Sequence, residues 1–193
     1  MIFNPILLDI TEHIDTERLQ LRAVRPGDGV HHFPAVQESI GNLRQYLADL
    51  PWVKCEPSLT NSEIHCRENY CRFIKREGLA YFIYSKQDNQ FIGGIGLHRI
   101  DWTIPKFEIG YWCRSSAQGK GYITEAVEVI TKFAFNTLLA RRVEIRADDL
   151  NVASWKVAEK TGFPLEGILR NVYRDTVSEQ LGSLRVYAKI SAG

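Results

Sequence analysis

The stretch RSSAQGKGYITEA, Arg114 to Ala126, decides how the rest of the chain is read. It follows FEIGYWC, whose alternation predicts a strand, and precedes VEVITKFAF, whose spacing predicts a helix. Gly119 and Gly121 therefore flank Lys120 at a strand-to-helix turn. A helix start offers unpaired backbone N–H groups and the positive end of a dipole, so bare backbone there can wrap an anion such as a phosphate. A Walker loop fits poorly, because Arg114 stands where its first glycine belongs and Gly121 follows the lysine. A dinucleotide fingerprint needs a small residue at Thr124 and a position after the first strand of a βαβ unit, and both fit poorly. In isolation the two glycines would mean only a tight turn.

Upstream, RLQLRA alternates Leu19, Leu21 and Ala23 with polar residues and predicts the first strand, broken by RPGDG. A weak helical signal runs from Val30 to Leu50, is interrupted by LPWVKCEPS, and is followed by a clearer helix from Leu59 to Glu77 with Cys66, Tyr70, Phe73 and Ile74 on one face. LAYFIYSKQDNQFIGGIGLHRID reads as a hairpin around KQDNQ, and KFEIGYWC after Pro105 adds a third antiparallel strand. Downstream, Ile123, Val127, Ile130, Ala134 and Leu138 form one helical stripe, and RRVEIRA points Val143, Ile145 and Ala147 inward. Strand, crossover helix and strand make a parallel unit. NVASWKVAEKTGF predicts a short helix capped by Asn151 and stopped by Gly162, and two last strands fall near Leu165–Tyr173 and Leu184–Ile190.

At 193 residues and 45% hydrophobic content the chain suits one domain over residues 1–193. Its net charge of +1 gives no field that would draw it onto nucleic acid or an acidic membrane. Cys55, Cys66, Cys71 and Cys113 form no C-x-x-C pair and read as reduced core thiols. His31 and His32 are adjacent rather than a helical turn apart, which suits a loop or helix start and not a metal site. MIFNPILLDITEHID lacks a basic start and a cleavage site, and no segment approaches membrane-spanning length, so a soluble cytoplasmic protein is expected.

Three segments taken together carry a resemblance: IGYWCRSSAQGKGYITEA, DDLNVASWKVAEKTGF and TERLQLR. In this order the chain resembles the GNAT superfamily of N-acetyltransferases, and within it the ribosomal-protein N-terminal (serine/alanine) acetyltransferase-like branch. The resemblance covers Thr16 to Ile190. It implies an α/β (α+β) fold with a mixed, mainly antiparallel sheet of about seven strands, helices on both faces, and a splay at the cofactor site. It implies acetyl-coenzyme A as cosubstrate, no metal, and a primary amine as acceptor. The backbone of Gln118, Gly119, Lys120, Gly121 and Tyr122 would hold the pyrophosphate, and pantetheine would pair with the strand ending at Trp112 and Cys113. The superfamily pattern often has Gln or Arg where this chain has Ser116, which removes one side-chain contact but not the backbone cradle.

Acetyl transfer to an amine needs a neutral amine, a stabilised oxyanion and protonation of the leaving thiolate. Glu108 lies opposite Phe107, Ile109 and Tyr111 if alternation holds, and is either a solvent-facing strand residue paired with Lys106 or, as the resemblance implies, the general base, directly or through water. Asn151 is a helix cap that, by resemblance, also bonds pantetheine. Ser154 is an ordinary first-turn serine or the donor to the departing sulfur. Its weight rises because Ala158 stands where many relatives carry a tyrosine acid. Cys113 has no histidine nearby in sequence, which disfavours a covalent intermediate. Arg114 and Lys120 are candidates to attract phosphates, or are simply solvated. Trp102, Trp112, Trp155, Tyr173 and Tyr187 suit core or pocket wall.

The sequence leaves the acceptor open among a protein N-terminus, a polyamine, an antibiotic and an amino acid, with specificity elements expected in Val30–Leu59. It also leaves open a non-catalytic acyl-coenzyme A binding domain, a nucleotide-phosphate enzyme, and assembly as a homodimer.

Overall fold

The alternation in RLQLRA is realised as a strand, Leu19–Ala23, with Leu19, Leu21 and Ala23 buried. It is the second strand, because His13–Asp15 (β1) pairs with it in antiparallel fashion. Three residues are too few to leave a periodic signal, which is why β1 is invisible in the sequence. The computed structural model describes residues 4–174 and 179–191, so Met1 to Phe3 of the amino-terminal apolar patch lie outside the described residues.

Beyond β2 (Leu19–Ala23), the chain forms α1 (Gly29–Leu47), α2 (Pro51–Lys54), α3 (Leu59–Lys75), β3 (Leu79–Ser85), β4 (Phe91–Asp101), β5 (Lys106–Cys113), α4 (Tyr122–Asn136), β6 (Arg142–Asp148), α5 (Val152–Lys160), β7 (Leu165–Arg174) and β8 (Leu181–Ile190). Among the described residues there are eight strands rather than seven, in the order β1-β2-β3-β4-β5-β6-β8-β7. Every neighbouring pair is antiparallel except β5 with β6. The expected mixed, mainly antiparallel sheet is therefore present.

Side chains alternate across the sheet and define two packed faces. Tyr81 and Ile83 of β3, Phe107 and Ile109 of β5, and Val143 and Ile145 of β6 join Val127, Ile130 and Ala134 of α4 in the main core. Phe82 and Tyr84 of β3 and Phe91 of β4 pack on the other face with Ala35 of α1 and Cys66 of α3. Burying Ile130 alone is worth about 1.5–3 kcal/mol, which ties the helix after the cradle to the sheet.

Several expectations need correction. α1 begins at Gly29 and is regular despite Pro34, so the weak signal reflects its glycines, histidines and proline and not an absent helix. α3 stops at Lys75 because Arg76 turns left-handed (φ 62°), and Ile74 faces solvent. Leu138 lies just past α4. Among the cysteines only Cys66 is in the core, while Cys55 and Cys71 are exposed and Cys113 is half-buried.

The sheet is not continuous across its middle. β5 and β6 register only at Lys106 with Arg142, Phe107 with Val143, and Glu108 with Glu144. Both strands run on, to Cys113 and Asp148, without further pairing. The strands part after Glu108, which opens a wedge whose β5 edge keeps unpaired backbone groups.

Candidate active site

The cradle lies at the broad end of this wedge. After β5, Ser115–Ala117 makes a single 3-10 turn, and Gly119 and Gly121 both adopt left-handed backbone (φ 75° and 79°) before α4 begins at Tyr122. The first bond into the helix runs from the Glu125 N–H to the Gly121 carbonyl (3.1 Å), leaving the N–H groups of Tyr122, Ile123 and Thr124 without an intrahelical acceptor. A Cβ built on Gly119 meets nothing within 4 Å, so the loop opens onto free space. Bare backbone, spare donors and a helix dipole together fit a pyrophosphate.

Contacts distant in sequence brace the loop. Glu125 in the first turn of α4 accepts from the Arg18 N–H (3.0 Å), the Arg18 Nε (2.6 Å) and the Thr16 hydroxyl. Arg18 also donates to the Lys120 carbonyl (3.1 Å) and stacks over Tyr122. From α1, Glu38 accepts from the Ser116 N–H (2.7 Å) and Ser39 accepts from the Ser115 N–H (2.9 Å). Arg114 is paired with Glu38, so it is not a free phosphate attractor, whereas Lys120 is exposed. These braces were missed in the sequence, because spacings of 76 to 109 residues leave no local pattern.

Across the wedge, Asn151 caps α5 by accepting the Ser154 N–H (3.1 Å), as expected. Its carboxamide keeps a second oxygen lone pair and the N–H donors of its NH2 group for any further contact. The Tyr111 hydroxyl of β5 donates to the Ser154 carbonyl (2.8 Å) and accepts from the Ser154 hydroxyl (3.2 Å), spanning β5 and α5. Burial pushes the Tyr111 phenol up to about 12 despite its bond to Ser154, so it stays protonated at neutral pH. Tyr111 was assigned only to the inward face, and this pairing was missed. Ala158 is fully buried in the main core, and its methyl side chain offers no acid at the position where many relatives carry a tyrosine.

Glu108 lies on the opposite face of β5 from Tyr111, as alternation predicts, and no hydrogen bond or ion pair links it to Ser154 among the described residues. Its partners are Arg99 (3.6 Å) and Arg146 (3.4 Å) rather than Lys106. Neither contact is a hydrogen bond, and Oε2 is buried without a hydrogen-bond partner. Burial raises the Glu108 carboxyl above its ordinary value, against the pull of Arg99 and Arg146 and with Glu144 adding to the rise. A carboxylate so placed is primed to take a proton.

The same face carries an aromatic cluster. Trp112 follows Glu108 and Gly110 on β5 and packs against Trp52 of α2 (5.4 Å between centroids), which in turn lies beside His32 and His65. His98 of β4 stands directly across from Glu108 and lies against Gly110. Cys113 ends the strand, its thiol pushed up to about 11 chiefly by burial, which makes it a poor nucleophile. Among the described residues no group of His, Cys, Asp and Glu is arranged to hold a metal ion.

A strand that leaves its parallel neighbour beside an anion cradle at a helix start offers a free backbone edge next to a site for a phosphate-bearing ligand. The chain belongs to the GNAT acetyltransferase family: the family description "Acetyltransferase (GNAT) domain" matches residues 18–164. The ribosomal-protein-serine acetyltransferase of Escherichia coli is 28% identical over 177 residues, 91% of this chain and 94% of that protein. A probable N-acetyltransferase of Bacillus subtilis is 35% identical over 100 residues, 51% of this chain and 55% of that protein, so the chain spans about half of that relative's length. Among solved structures, a ribosomal α-N-protein acetyltransferase in complex with coenzyme A superposes with a TM-score of 0.84 at 23% identity, covering 93% of this chain and 98% of that one. A ribosomal-protein alanine acetyltransferase from Vibrio fischeri gives 0.81 at 18% identity, with 95% and 98% covered. These two likenesses concern the fold.

Proposed function

We propose that the chain, acting as one domain, transfers the acetyl group of acetyl-coenzyme A to the α-amine of a protein N-terminus. The observation that carries the reading is the cradle at the start of α4, open to space and set beside the unpaired edge of β5. The backbone of Gln118 to Tyr122 binds the pyrophosphate, and the free edge leading to Trp112 and Cys113 pairs with the pantetheine amides. The NH2 group of Asn151 bonds the same arm from α5.

Glu108 takes the proton of the acceptor amine, directly or through one water, as nitrogen attacks the thioester carbonyl. Collapse of the tetrahedral intermediate expels the thiolate, and the Ser154 hydroxyl turns its one proton from Tyr111 to the sulfur. The acceptor approaches over the face bearing Glu108, where Trp52, Trp112 and His98 form its walls. Trp52 lies in the region expected to hold specificity elements. The likeness to ribosomal-protein acetyltransferases supports a protein N-terminus over a polyamine, an antibiotic or an amino acid. Exposed Cys55 and Cys71 suit a reducing cytoplasm, and among the described residues no helix is long and apolar enough to cross a membrane.

The test is coenzyme A release across a panel of peptides with free N-termini, spermidine, an aminoglycoside and free amino acids. Turnover highest on the peptides supports the reading. Binding of acetyl-coenzyme A with no release on any amine would leave a non-catalytic binding domain.

A further inference from the structure

The charged residues beside Glu108 form a chain across three strands. Glu166 of β7 receives both terminal nitrogens of Arg142, and Arg142 Nε donates to Glu144 Oε1 (2.6 Å). Glu144 Oε2 accepts from both Nε (3.2 Å) and NH2 (3.1 Å) of Arg146. Arg146 thus spends its hydrogen bonds on Glu144, although its Nε is only 3.4 Å from Glu108 Oε2. Glu108 is faced by His98 and Arg99 from β4, by Lys106 from β5, and by Glu144 and Arg146 from β6. Glu144 is 6% exposed, and it is ionised because Arg142 and Arg146 outweigh the effect of its burial. The backbone bends here too: β4 has an irregularity between His98 and Asp101, and Arg99 adopts a left-handed φ of 46° that directs it to the same carboxylate.

We propose that Glu144 is a positioning residue that takes the hydrogen bonds of the Arg146 guanidinium, so that Arg146 lies beside Glu108 without bonding to it and leaves a buried Glu108 oxygen free to receive the acceptor's proton. Glu144 touches no reacting atom and acts through Arg146. Without its carboxylate, Arg146 turns to Glu108, and a base tied into a bonded ion pair is a weaker base.

This inference rests on Glu108 as the base, and the test separates the two. Full-length protein carrying 13C-labelled glutamate carboxyls is titrated by NMR, with the Glu108 signal assigned from its loss in Glu108→Gln. Glu144→Gln is expected to lower the Glu108 midpoint by about one pH unit, and Arg146→Gln to raise it by about as much. Loss of either charge shifts Glu108 in these directions by itself, so the pair decides: with Arg146→Gln in place, Glu144→Gln should lower the midpoint by much less than it does alone, and an equal lowering in both backgrounds overturns the proposal. If Glu144→Gln fails to fold, Glu144→Asp, which keeps the charge but draws the carboxylate back from Arg146, carries the test through the same lowered midpoint. An unmoved midpoint, or shifts of the same sign in both variants, overturns the proposal. In parallel, the acid limb of coenzyme A release with a serine-initiated peptide should follow the NMR midpoint. An acid limb that stays fixed while the midpoint moves sustains Glu144's control of Arg146 and removes Glu108 from the chemistry.

Discussion

Replacing Gly121 by valine tests the cradle while sparing the rest of the molecule. A Cβ at this position would lie 3.5 Å from the Arg18 guanidinium, an ordinary contact, so crowding contributes little. The cost comes from the backbone. Gly121 sits at φ 79° and ψ 4°, and an L-residue held there loses about 1–2 kcal/mol, more for a β-branched one. Against a typical stability of about 5–15 kcal/mol the domain stays folded, and the melting temperature drops by roughly 2–8 °C. Relief of that strain rotates the peptide and turns the N–H groups of Gly121 and Tyr122 away from the ligand. Each hydrogen bond to a charged group is worth about 1.5–3 kcal/mol, so losing one weakens acetyl-coenzyme A binding by roughly tenfold to a hundredfold. Titration calorimetry with acetyl-coenzyme A, paired with a thermal melt, reads both effects. A folded Gly121→Val protein with wild-type affinity would refute the assignment of the cradle.

Glu108→Gln keeps the shape but cannot accept a proton, and kcat is expected to fall by roughly a hundredfold or more with cofactor affinity little changed; an unchanged rate near neutral pH would reduce Glu108 to a member of its ion-pair chain. Because its folded pKa is raised, activity is lost as pH falls through that raised value, and the acid limb of kcat/KM should lie above the ordinary glutamate range of about 4.3. Ser154→Ala loses one hydrogen bond to Tyr111, about 1 kcal/mol of stability, yet kcat and kcat/KM should fall together; full activity, or a loss accounted for by unfolding, would remove Ser154 from the mechanism. Burial lowers His32 to about 3, and His65 and His98 to about 4, below the unfolded value of 6.5, so the unfolded chain binds more protons in that interval. Stability should be fully present above pH 6.5 and drain toward pH 4 at up to about 1.4 kcal/mol per pH unit per histidine; urea melts with equal midpoints at pH 7 and pH 5 would contradict this.

What was legible in the sequence is what short-range spacing encodes. The stripe through Val127, Ile130 and Ala134, the alternation in KFEIGYWC, and the Asn151 and Gly162 caps each involve residues within a turn or a pleat of one another. The glycines of the cradle were readable because a positive φ restricts residue type. The supports of the site were not. Thr16 and Arg18 reach Glu125, Tyr111 reaches Ser154, and Glu108 and Glu144 come side by side only when β5 and β6 pair. A polar side chain in a strand reveals its face but not its partner.

The reaction proposed for this chain is acetyl transfer to an α-amine. Mass spectrometry of a serine-initiated peptide incubated with the protein and acetyl-coenzyme A tests it most directly. A single added acetyl group is expected, located by fragmentation on the N-terminal nitrogen, and none on the same peptide blocked at its N-terminus. An acetyl group found only on lysine side chains, or an unmodified peptide while spermidine is acetylated under the same conditions, would contradict it.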